Sequence, residues 1–110
     1  MNEPTRRFKE EFFRALGHPV RLTILGHLRT GEKSVNELQA LLACDQSTVS
    51  QQLAVLRNRN IVESRKDGTT VYYRARDPMI FQLLDVAREI FNNHLIDTQQ
   101  MLQQLNENDM

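Results

Sequence analysis

"CDQSTVSQQLAVLRNRN", residues 44–60, changes character part-way along. Asp45–Thr48 and Ser50–Gln52 place seven polar residues around Val49, and an apolar, arginine-bearing run follows. A helix is predicted here to about Arg59. Asp45 supplies a side-chain acceptor for the unsatisfied amides of its first turn. Val49, Leu53 and Leu56 recur at helical spacing and make its inward face. The hydroxyls and amides at its start therefore point outward.

The segments on either side extend the pattern. "SVNELQALLA" (residues 34–43) opens with a capping box, Ser34 with Glu37, and offers Val35, Leu38, Leu41 and Leu42 as a buried face. A short turn through Ala43 and Cys44 joins it to the quoted helix. Further upstream, "HPVRLTILGHLRTG" starts a helix at Pro19, where a missing N–H costs nothing, and Gly31 stops it. Val20, Ile24, Leu25 and Leu28 line one of its faces. "PTRRFKEEFFRALG" reads as a first helix with Phe8, Phe12, Ala15 and Leu16 on one side and Gly17 able to end it. Downstream, "IVESRKDGTTVYYRA" (residues 61–75) is rich in β-branched and aromatic residues around Asp67-Gly68, which predicts a hairpin with positive φ at its turn. Pro78 opens a last helix that can run to about Leu105, about 42 Å at about 1.5 Å per residue. The tail "NENDM" is expected to fray.

The totals bound this reading. A length of 110 residues allows one domain, and 40% apolar residues is enough for one small core. No apolar run approaches the roughly 20 residues of a membrane span, and "MNEPTRRFKEE" lacks a signal peptide's apolar centre, so a cytoplasmic protein with no membrane partner is expected. A single cysteine excludes an internal disulfide framework and a multi-cysteine zinc site. No Ser–His–Asp, Cys–His or paired-carboxylate set falls at interpretable spacing, and no glycine-rich phosphate loop exists, so an enzyme is not expected.

The zero net charge averages over unlike parts. Residues 1–45 are net +1. Residues 46–76 carry Arg57, Arg59, Arg65, Lys66, Arg74 and Arg76 against Glu63 and Asp67, net +4. Residues 77–110 carry Arg88 against six acids, net −5. Basic charge is thus gathered in the polar-faced helix and the hairpin.

Helix, tight turn, helix and basic hairpin in this order place the start of the fourth helix where it can enter a DNA major groove. Short hydroxyls and amides are the groups that read base edges and phosphates there. The candidate contacts are Gln46, Ser47, Thr48, Ser50, Gln51, Gln52 and Arg57, with Arg65, Lys66 and Thr69 reaching backbone or minor groove from the hairpin. A winged-helix adaptor that binds protein is the alternative, although it has no need of grouped arginines beside an amide-rich helix.

"ALGHPVRLTILGHL", "SVNELQALL", "QSTVSQQLAVLRNRNIV" and "RKDGTTVYYRA" resemble, in order and spacing, successive signatures of the ArsR/SmtB winged helix-turn-helix repressors over most of residues 13–76. The resemblance implies a mainly α fold of about five helices with a β-hairpin wing, and a homodimer that leaves its operator DNA when an inducer binds. The recognition helix would be Gln46 to Arg59 and the wing Ile61 to Arg74. One domain then spans the chain, with 34–59 as helix-turn-helix, 61–75 as wing, and 1–17 and 78–106 as dimerisation helices. The chain departs from its relatives at Gln52, where many have histidine, and at Ala43 and Asn60, where glycine is common. Asn60 is tolerable because asparagine accepts the left-handed region.

No metal or other cofactor is expected. The helix before the recognition helix contains no cysteine, and the first half of the two-part ligand pattern of some relatives' last helix would fall on Phe81 and Leu83, which cannot ligate metal. His94 with Asp97 and Asp85 leaves open an unorthodox site across a dimer axis. His18 and His27 need no ligand to explain them. Cys44 reads as a small buried hydrophobe in the turn, with thiol-based redox sensing as the sharper alternative.

The last helix carries more apolar surface than the rest of the chain can cover. Ile80, Leu83, Leu84, Ala87, Ile90, Phe91 and Leu95 form a broad stripe, continued by Met101, Leu102 and Leu105. Phe8, Phe12, Phe13, Leu84, Ala87, Phe91 and Leu95 are therefore expected at an interface between two copies. A two-fold dimer suits palindromic double-stranded DNA, with recognition helices in successive major grooves roughly 34–36 Å apart.

Overall fold

The first four helices begin where the sequence supplies an acceptor for orphan amides. In the computed structural model, which describes residues 2–108, α1 (Glu3–Leu16) is capped by Asn2, whose side chain accepts from the Thr5 amide. α2 (Pro19–Leu28) is capped by His18, whose Nδ1 accepts from Val20 N–H at 3.2 Å. Ser34 ends the short strand β1 (Lys33–Ser34) and caps α3 (Val35–Leu42). Its Oγ accepts from Glu37 N–H at 3.1 Å while its own N–H donates to Glu37 Oε1 at 3.2 Å, so the capping box is complete. Asp45 caps α4 (Gln46–Asn58) by accepting from Thr48 N–H at 2.7 Å.

The helix ends are as specific. At the end of α4, Ile61 N–H donates to Leu56 O at 2.9 Å and Asn60 N–H to Arg57 O at 3.0 Å, with Asn60 at φ 60°. This is a Schellman motif, and Leu56 and Ile61, both buried, make its accompanying apolar contact positions. α3 ends on Ala43 at φ 53°, whose N–H reaches Gln39 O at 3.0 Å. Left-handed geometry at a Cβ-bearing residue costs about 1–2 kcal/mol. Ala43→Gly removes that strain but gains unfolded-state entropy worth about 0.4–1 kcal/mol. The net expectation is a stabilisation of about 0.5–1 kcal/mol, read as a rise of a few degrees in Tm at fixed protein concentration. An unchanged or lower Tm would mean that the turn gains something from the Ala43 methyl.

β2 (Val62–Asp67) and β3 (Thr70–Ala75) form the hairpin in register from Val62↔Ala75 to Asp67↔Thr70. The expected turn is present with a refinement: Asp67 is the last paired residue, and Gly68, at φ +63°, is the first of two loop residues with Thr69. β1 adds to β3 antiparallel, Lys33↔Tyr73 and Ser34↔Tyr72, giving the order β1-β3-β2. Two residues show no periodicity, which is why the sequence did not announce β1.

Ile24, Leu25, Leu38, Val49, Leu53, Leu56 and Val62 are fully buried, joined by Ala15, Leu16, Leu28 and Ile61. α2, α3 and α4 pack on one another, and α4 also meets β2. Leu41 corrects the sequence reading: it is 50% exposed, while Leu38 is buried and Val35 and Leu42 half-buried. With about 3.6 residues per turn, a three-residue step rotates Leu41 about 60° off Leu38 to one side. The four-residue step to Leu42 falls only about 40° off on the other side, towards the core.

α5 (Met79–Asn108) is a separate compact unit from the body that ends at Pro78. It is uninterrupted for 30 residues, about 45 Å. The fraying expected for the tail is corrected for Asn106 to Asn108, which are helical; Asp109 and Met110 lie outside the described residues. Ile90, Phe91, Leu95, Met101, Leu102 and Leu105 are exposed along it, and Phe8 and Phe13 are exposed on α1. No helix among the described residues is long and apolar enough to cross a membrane.

Candidate nucleic-acid interface

The burial of Val49, Leu53 and Leu56 fixes how α4 is rotated. The opposite face then has to present Gln46, Ser47, Ser50 and Gln51, all exposed. Beside this edge, an open cleft of about 250 Å³ is lined by Ser34, Val35, Asn36, Gln46, Thr69, Thr70 and Val71. The starts of α3 and α4 and the tip of the hairpin therefore converge, and expected contacts from two elements, Gln46 and Thr69, face one space.

Two expected contacts are placed otherwise. Thr48 is half-buried and serves the cap: hydrogen bonds from its amide and side chain hold the Asp45 carboxyl below its ordinary range. That contribution to α4 is fully present above the ordinary carboxylate pKa and is lost as pH falls through the depressed folded value. Gln52 is half-buried, and its Oε1 accepts from Arg21 Nε at 2.8 Å. Both residues sit next to the core face of α4, on its flank.

The basic residues divide into two groups. Arg59 pairs with Glu11 at 3.0 Å and Arg74 with Glu63 at 2.7 Å. Arg65 forks onto Glu32, with Nε to Oε2 at 2.8 Å and a second bond to Oε1, and its guanidinium lies 4.7 Å from the Tyr72 ring centroid. Arg57, Lys66 and Arg76 make no ion pair among the described residues, which leaves their charge available to an incoming anion. Arg57 and Arg76 share an open cleft of about 240 Å³ with Asn60, Val62, Glu63 and Ser64. Arg76 counts in the basic charge of residues 46–76 but is not among the candidate contacts read from the sequence. It lies just past the hairpin, and only folding sets it beside Arg57.

The fork from Arg65, followed by its charge and that of Arg74, holds the Glu32 carboxyl below its ordinary range against a smaller opposing effect of burial. The same fork raises the Arg65 pKa. The pair anchors the hairpin to the segment before β1 at neutral pH, and that anchorage is lost only as pH falls through the depressed Glu32 value. Glu32→Gln is expected to release Arg65 for phosphate and to steepen the log–log salt dependence of DNA binding by about one unit. Fluorescence anisotropy at several salt concentrations measures that slope; an unchanged slope would show Arg65 still held by Tyr72 and by Asp67, 4.0 Å away.

Cys44 is half-buried and its Sγ lies 3.5 Å from the Leu42 carbonyl oxygen, a short-range contact within the turn. Among the described residues no group of three or more His, Cys, Asp or Glu side chains gathers as a metal centre would.

Comparison with known proteins matches this geometry. The family described as "Bacterial regulatory protein, arsR family" matches residues 18–64, from the α2 cap into β2. The uncharacterized HTH-type transcriptional regulator Rv0081 of Mycobacterium tuberculosis is 39% identical over 105 residues, covering 94% of this chain and 92% of that protein. Its crystal structure superposes with a TM-score of 0.79, at 40% identity over 87% of this chain and 97% of that one. The biofilm growth-associated repressor of Xylella fastidiosa is 41% identical over 78 residues, covering 71% of this chain and 68% of that protein. The homodimeric winged helix-turn-helix DNA-binding domain of Mycobacterium bovis Mb0332 has a TM-score of 0.77 at 27% identity, covering 84% of this chain and 85% of that one. With one relative matched along nearly its whole length and the hairpin and helix pair in place, the chain belongs to the arsR family of bacterial regulatory proteins, as a winged helix-turn-helix transcriptional regulator of the ArsR/SmtB type.

Proposed function

We propose that the protein is a homodimeric, sequence-specific repressor that binds a palindromic operator and is released from it by an inducer. One observation carries the DNA-binding part: the exposed edge of Gln46, Ser47, Ser50 and Gln51 is held outward by three buried aliphatic residues, beside a hairpin bearing Lys66 and Thr69. The amides and hydroxyls read base edges in the major groove. Lys66, Arg57 and Arg76 neutralise phosphates and fix register without reading sequence. The dimer rests on the exposed apolar residues of α1 and α5, and the homodimeric state of the Mycobacterium bovis domain supports it. Release by an inducer rests on the family resemblance.

Binding of the purified protein to duplex DNA enriched from a randomised pool, and to scrambled duplex, tests this reading across a salt series. Affinity for both should fall linearly on log–log axes through counterion release, with the enriched duplex favoured throughout. Binding that ignores salt, or fails to distinguish the two duplexes, contradicts it.

A further inference from the structure

Arg21, on α2, joins three helices with one side chain. Its Nε donates to Gln52 Oε1 on α4 at 2.8 Å, and its Nη1 donates to the carbonyl of Ala15 at 3.1 Å and of Arg14 at 3.5 Å. Those carbonyls belong to the last turn of α1, where the helix dipole favours a cation; that of Arg14 also accepts from Gly17 N–H at 3.2 Å. Arg21 and Gln52 are both half-buried, so the contact is shielded from the solvent that weakens surface pairs.

The chemistry of the contact restricts Gln52. A guanidinium can only donate, so the atom facing Arg21 must be the amide oxygen, and what remains is a donor-only NH₂. Bidentate reading of adenine needs the oxygen and the NH₂ of one amide together. Gln52 can do this only by abandoning Arg21. Gln51, one residue earlier, is exposed and has no such partner among the described residues.

We propose that Arg21 and Gln52 form a strut through which the end of α1 sets the orientation of α4. Gln52 is then a positioning residue, and the reading edge is Gln46, Ser47, Ser50 and Gln51. The proposal rests on the DNA-binding reading, and it ties the geometry of the reading helix to α1.

The test is the ratio of affinities for the enriched duplex and a scrambled one, measured on variants of the 110-residue chain at equal folded fraction by circular dichroism. A role confined to stability would leave that ratio unchanged. Arg21→Ala and Gln52→Ala should each lower it about tenfold, and the double variant no further, because the two side chains act as one unit. Gln52→Glu keeps an acceptor for Arg21 and loses the NH₂. Its added charge weakens binding to both duplexes alike, so the ratio should stay within about twofold of wild type. A Gln52→Glu ratio as low as that of Gln52→Ala would make Gln52 a reader and overturn the proposal, as would losses that multiply in the double variant. If the wild-type protein enriches no sequence, the DNA-binding reading fails first. Thermal unfolding then judges the strut: non-additive Tm shifts for the two alanine variants support it, and additive shifts overturn it.

Discussion

Phe91→Glu is expected to leave the protein folded, monomeric at micromolar concentration, and about a hundredfold or more weaker on operator DNA. Phe91 is 60% exposed on α5, with Ile90, Leu95, Met101, Leu102 and Leu105 exposed along the same helix. Full burial of one such side chain contributes about 1.5–3 kcal/mol, so a few of them suffice for a stable dimer. A glutamate in that surface must be desolvated or hydrated in place, and either cost falls on association and not on the fold of the body up to Pro78. DNA affinity falls because two linked recognition helices bind with an effective concentration that a lone one lacks. Sedimentation velocity and anisotropy read the two effects. A variant that stays dimeric would place the interface elsewhere.

Gln46→Ala with Gln51→Ala is expected to lower discrimination between operator and scrambled duplex by about a hundredfold, since each well-placed amide contributes about 1–3 kcal/mol to base choice. Both residues are exposed, so folding stability should change by less than about 1 kcal/mol. Affinity for scrambled DNA should hold, because Arg57, Lys66 and Arg76, the proposed phosphate contacts, are untouched. Preserved discrimination would mean that α4 meets DNA with another face.

The helices were legible because their signals are local. The capping box at Ser34 and Glu37, the cap at Asp45 and the spacing of Val49, Leu53 and Leu56 all lie within one or two turns. Asn60 at φ 60° likewise met the backbone demand that its position implied. β1 escaped because two residues gain strand geometry only from pairing with Tyr72 and Tyr73. The polar edge of α4 was legible in residue type, while the half-burial of Thr48 and Gln52 within it was not. Gln52 looks like Gln51 in one dimension, and only the approach of Arg21 from 31 positions away separates them. Arg65 raises the same issue, because its partner Glu32 is 33 positions distant. Charge counted along a chain does not show which cations are already engaged.

Selection from a randomised duplex pool by the wild-type protein reads out whether two copies present the Gln46–Gln51 edge together to one duplex. The expected product is an inverted repeat whose half-sites lie about one helical turn apart, roughly 34–36 Å between centres. A pool that stays random, or that yields one isolated half-site bound by one protomer, contradicts it.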